Sequence, residues 1–73
     1  MTWIKFKPNE LTEYSIKVSQ ITTVALREDI EGSATLEVYV RGSQKPFSMS
    51  YSIGYIMKKY KEIMETIAIN ELP

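Results

Sequence analysis

The apolar residues of this chain change their period once, after Tyr51, and that change confines it to one broad class of fold. Before Tyr51 they alternate. Ile4 and Phe6 stand opposite Trp3, Lys5 and Lys7, then Tyr14, Ile16 and Val18 stand opposite Ser15 and Lys17. Val24 and Leu26 oppose Thr23, Ala25 and Arg27, and Ala34, Leu36, Val38 and Val40 oppose Thr35, Glu37, Tyr39 and Arg41. Phe47, Met49 and Tyr51 alternate with Ser48 and Ser50. This is the period of strands with one face on a core, and their β-branched and aromatic content fits it. After Tyr51, residues Ile53, Ile56, Met57, Tyr60, Ile63, Met64 and Ile67 fall three and four apart, the stripe of an amphipathic helix.

The pattern predicts strands at about 2–7, 13–18, 22–28, 34–41 and 46–51 and a helix over about 53–68. Pro8 and Asn9 supply a turn, and the chain is expected to bend near Ser19 and Gln20. In "DIEGS" at 29–33, Gly32 is the residue expected at positive φ. Pro46 can open a strand at a sheet edge, where it has no ladder hydrogen bond to donate. Ser52 is placed to cap the helix. The expected fold is therefore α+β: an antiparallel meander of about five strands with one C-terminal amphipathic helix packed on one face. Ile56, Met57, Tyr60, Ile63 and Met64 are expected to pack against Ile4, Phe6, Ile16, Leu36, Val38 and Val40. Strands 3–7 and 47–51 are expected to be unsheltered edges. In shape alone this outline resembles pleckstrin-homology-like folds, which need more strands, and the short flagellar accessory proteins of bacteria. It contains no motif diagnostic of either.

At 73 residues this is one domain, and a chain of that size buries roughly 60% of the surface its unfolded form exposes. Cysteine and histidine are absent, so neither a disulfide nor a Cys/His zinc site can hold it, and apolar packing must. The start "MTWIKFKPNE" lacks the apolar run of a signal peptide, and no window approaches the roughly 20 apolar residues of a membrane span. A cytoplasmic protein that does not engage the membrane is the expectation. Nine basic and nine acidic residues give zero net charge, which argues against binding nucleic acid with the whole surface.

Residues that carry chemistry are few. Without His or Cys, a serine nucleophile would need a lysine partner, and Ser48, Ser50 and Ser52 near Lys58 read better as a strand face and a helix cap. Glu28, Asp29 and Glu31 lack the regular ligand spacing of a calcium loop. Gly32, Gly42 and Gly54 are too dispersed to cradle phosphate. No catalytic residue, metal ligand or cofactor is expected, and a non-enzymatic protein is.

Two features point to binding instead. Residues 41–61 hold five basic side chains, Arg41, Lys45, Lys58, Lys59 and Lys61, and no acidic one. Trp3 and Tyr55 fall outside the core stripes, and Ile69 and Leu72 extend past the expected helix end; aromatic residues of this kind are enriched in interfaces. The candidate partner-binding residues are Trp3, Tyr39, Arg41, Lys45, Tyr55, Lys58, Lys59 and Lys61. The expected function is that of a small interaction or regulatory protein of the accessory kind found in bacteria and phages. Its expected partner is a second copy (a homodimer), another protein, or both. The alternative is a nucleic-acid-binding domain, with Tyr39 and Trp3 stacking on bases beside the basic residues.

Overall fold

The computed structural model describes residues 2–71. Five antiparallel strands precede one helix: β1 (Trp3–Asn9), β2 (Thr12–Lys17), β3 (Ile21–Glu28), β4 (Ser33–Val40), β5 (Phe47–Ser52) and α1 (Ile53–Glu71). The protein is α+β, with the helix packed across β4 and β5. No helix among the described residues is long and apolar enough to cross a membrane.

The strands form two sheets rather than one meander, β1–β2 and β3–β4–β5. In the first, Ile4 pairs with Ile16 and Phe6 with Tyr14. The ladder becomes irregular between Phe6 and Asn9, where Pro8 has no amide to donate, and the Asn9 side chain accepts the Leu11 amide at 2.8 Å to close the turn. The expected bend near Ser19 is a 3-10 turn, Val18–Gln20. There the Val18 amide donates to the Thr2 carbonyl and the Arg41 amide to the Gln20 carbonyl. β2 is thereby turned away from β3 instead of pairing with it.

β1 and β5 are edge strands of their sheets, as expected, but not unsheltered ones. β1 lies beside β5, with the Phe6 and Phe47 rings 6.3 Å apart and the Tyr51 hydroxyl donating to the Lys7 carbonyl at 2.9 Å. Strands 3–7 and 47–51 shelter each other because both point aromatic side chains into the same core. The outer sides of β2 and β3 have no strand partner among the described residues.

In the second sheet Leu36 pairs with Leu26 on one side and Met49 on the other. The β3–β4 turn places Gly32 at φ 76°, as expected, but Glu31 before it is also left-handed at φ 64°. Ser52 still belongs to β5, and the first helical amide, that of Ile53, donates to the Gly32 carbonyl at 2.8 Å. That carbonyl satisfies one of the donors a helix start leaves open.

The core joins Ile4, Phe6, Ile16 and Val18 from the first sheet and adjoining turn with Ala34, Leu36, Val38 and Met49 from the second. Ile56 and Ile63 of α1 seal it, flanked by half-buried Ile53, Tyr60, Ile67 and Val40. Met57 and Met64, expected in this layer, are 44% and 38% exposed. Positions 53, 56, 60, 63 and 67 already fill the side facing the sheets, and Met57 follows Ile56 by about 100° of rotation. The seven-residue stripe is wider than the surface it docks on.

The difference between the two sides of the helix is measurable. Ile63→Ala is expected to lower stability by about 2–5 kcal/mol, whereas Met57→Gln should change it by about 0.5 kcal/mol or less. Equal destabilisation of the two variants in urea unfolding would overturn the assignment of buried and exposed faces.

Candidate functional site

The exposed methionines form an open apolar surface on the helix. Met57, Tyr60, Met64 and Ala68 line a shallow groove along α1, bordered by Lys58, Lys61 and Glu65. All belong to one helix, so the spacing that builds the core stripe also builds this second stripe beside it. Tyr60 serves both, half-buried against the core with its remaining surface in the groove.

The other flank of the helix is more polar. Gly54, Tyr55, Lys58, Lys59 and Glu62 line a second depression there. Tyr55 is half exposed because its ring stacks on Tyr51, with centroids 5.0 Å apart and planes at 21°. Its role is therefore partly structural. Lys59 is half-buried, while Lys58 and Lys61 are exposed.

Arg41 lies elsewhere, in a depression lined by Ser15, Ile16, Lys17, Gln20, Val40 and Phe47 as well. Trp3, 54% exposed, pairs directly with Lys17 across the β1–β2 ladder. Trp3 and Arg41 thus meet through Lys17, a residue outside the candidate set. Lys45 is exposed in the turn between β4 and β5. Tyr39 is half-buried opposite Thr23 in the other sheet, so it does not share a face with Trp3. The depression that Arg41 lines contains no helix residue, and those lined by the helix lysines contain no strand residue. The basic run 41–61 is divided between surfaces. Ile69 is 70% exposed near the end of α1, and Leu72 lies outside the described residues.

The outer face of β3–β4–β5 carries a polar network. Thr35, almost buried, donates its one hydroxyl proton to Asp29 Oδ2 at 2.7 Å and must accept from the Ser50 hydroxyl at 2.8 Å. Ser48 donates to Glu37 at 3.4 Å, and Arg27 bridges Asp29 and Glu37 at 3.3 and 3.7 Å. α1 covers the opposite face of this sheet, which separates Lys58 from Ser48 and Ser50. No group of three or more acidic side chains is arranged to hold a metal among the described residues.

Comparison with protein-family models, curated proteins and solved structures finds no match to this chain. The site must be argued from its own residues. Met57 and Met64 escaped the sequence because periodicity reports a stripe and not its depth of burial. Lys17 is readable as a neighbour of Trp3 on a polar strand face, but its place beside Arg41 is set by the 3-10 turn. Its alternation with Ile16 and Val18 did mark it as outward-facing.

The Thr35 hydrogen bond, helped by the nearby Arg27 and opposed by partial desolvation, holds the Asp29 carboxyl below its ordinary value. A folded-state value below the unfolded one adds stability above about pH 3.9, and that contribution is lost as pH falls through the folded value. The carboxyl carbon shift of Asp29 should therefore titrate below about 3.9, and Thr35→Val should move the midpoint upward. A parent midpoint at or above the ordinary value would remove the network from the account.

Proposed function

We propose that this is a small, non-enzymatic interaction or regulatory protein, of the accessory kind found in bacteria and phages, which acts in the cytoplasm by protein–protein contact through the outer face of α1. The observation that carries this reading is the exposed Met57–Tyr60–Met64–Ala68 stripe with Lys58, Lys61 and Glu65 along its border. Methionine suits such a surface, since its unbranched, polarisable side chain adapts to an apposed chain. An apolar strip with a charged rim is also how interfaces are commonly built.

A specific observation supports the second reading, an anionic partner such as nucleic acid. The outward face of β1–β2 places Trp3 opposite Lys17 and beside Lys5, and Lys17 lines a depression together with Arg41. A ring that can stack next to three cations is the usual arrangement for single-stranded nucleic acid. Zero net charge supplies no long-range attraction to support it.

The two readings separate in one set of measurements. Tagged chain cross-linked in its native host should couple to protein, either a second copy or another chain, and Met57→Lys with Met64→Lys should abolish this while leaving thermal unfolding nearly unchanged. Equal coupling by the double variant would sink the helix-face reading. Sub-micromolar, salt-dependent binding of a mixed oligonucleotide at physiological salt, lost in Trp3→Ala and Lys17→Ala, would put the second reading first.

A further inference from the structure

The order of charges along the exposed helix face specifies an occupant. At about 100° per residue, Lys61, Glu65 and Lys58 follow Met57, Met64 and Ala68 round α1 on the side away from the core. Lys58 and Lys61 precede Glu62 and Glu65 in the chain. Within one helix this order is the less favourable one, because Lys58–Glu62 and Lys61–Glu65 are spaced four apart with the cation first. Between two copies it becomes complementary. When α1 is laid antiparallel on itself, the lysine half of each helix meets the glutamate half of the other.

We infer that the Met57–Ala68 face of α1 pairs with the same face of a second copy in an antiparallel, two-fold dimer. This deepens the interaction reading and rests on it. The stripe from Met57 to Ala68 is about 16 Å long at 1.5 Å per residue. Centring the two-fold axis on it brings Met57 opposite the second copy's Ala68 and Lys61 opposite its Met64. In an isologous contact the same flank of each helix meets itself, so Lys61 of each copy stands beside Glu65 of the other, twice over. In a parallel two-fold pair the lysine and glutamate flank of each helix would face the opposite, core-side flank of the other, and this complementarity would be lost. The stripe lies a little under a quarter of a turn away from the residues facing the sheets, so the second helix lies beside α1 and not between it and the sheets. A single helix pair is at the small end of specific interfaces, so the dimer is expected at micromolar concentration.

Sedimentation equilibrium on the full chain and two charge variants tests this. The parent should dimerise, and Lys61→Glu and Glu65→Lys should each weaken the dimer at least tenfold by placing like charges together at both contacts. An equimolar mixture of the two variants should recover dimer as a heterodimer. Orientation has its own readout, since the chain has no cysteine: Met57→Cys should form a disulfide with Ala68→Cys in the mixture and not with itself. A parent that stays monomeric at submillimolar concentration, variants as dimeric as the parent, a mixture that fails to recover, or ready self-cross-linking of Met57→Cys would each overturn the antiparallel dimer. A monomeric parent leaves the interaction reading to the cross-linking measurement in the native host, so the two can fail separately.

Discussion

The two sheets of this protein touch along β1 and β5 without a ladder of backbone hydrogen bonds between them. Everything else depends on the side chains that substitute for that ladder. Phe47 packs against Phe6 and, with centroids 4.9 Å apart, against Tyr14. Tyr51 reaches from β5 to the Lys7 carbonyl while its ring carries Tyr55 from the first turn of α1. One tyrosine therefore ties both sheets and the helix together. Phe6, fully buried at the centre of this junction, holds the β1–β2 hairpin against the rest. A core assembled from three pieces in a chain this short has little redundancy.

The elements were legible because each is a local pattern. Alternation at Ala34, Leu36, Val38 and Val40 identifies a strand wherever it sits in a sheet, and "DIEGS" identifies a turn from its own residues. The division into two sheets was not legible, because it follows from a three-residue 3-10 turn whose hydrogen bonds reach back to Thr2 and forward to Arg41. Which edges are sheltered is likewise a property of the assembled sheets. Phe6 and Phe47 show no sign in the sequence that they will meet.

The candidate site divides along the same line. Exposure of Trp3, Lys58 and Lys61 could be read from their positions between apolar residues. The separation of Arg41 from the helix lysines could not, because it depends on the helix docking by its own apolar side and on Arg41 being drawn towards Gln20. Met57 and Met64 show the limit most clearly. Apolar residues three and four apart fit a buried stripe and an exposed one equally well, and only the width of the docking surface decides which positions are left in water.

The bond from the Ile53 amide to the Gly32 carbonyl gives the β3–β4 turn a second duty. Surface turns are ordinarily where a chain gains and loses residues most freely. Here two successive left-handed residues aim a carbonyl at the start of a helix formed much later in the chain. An extra residue in that turn would carry the acceptor away from α1 even if the hairpin still closed. The turn between β4 and β5, which includes Lys45, makes no such bond to α1 among the described residues and is a place where this fold can vary in length.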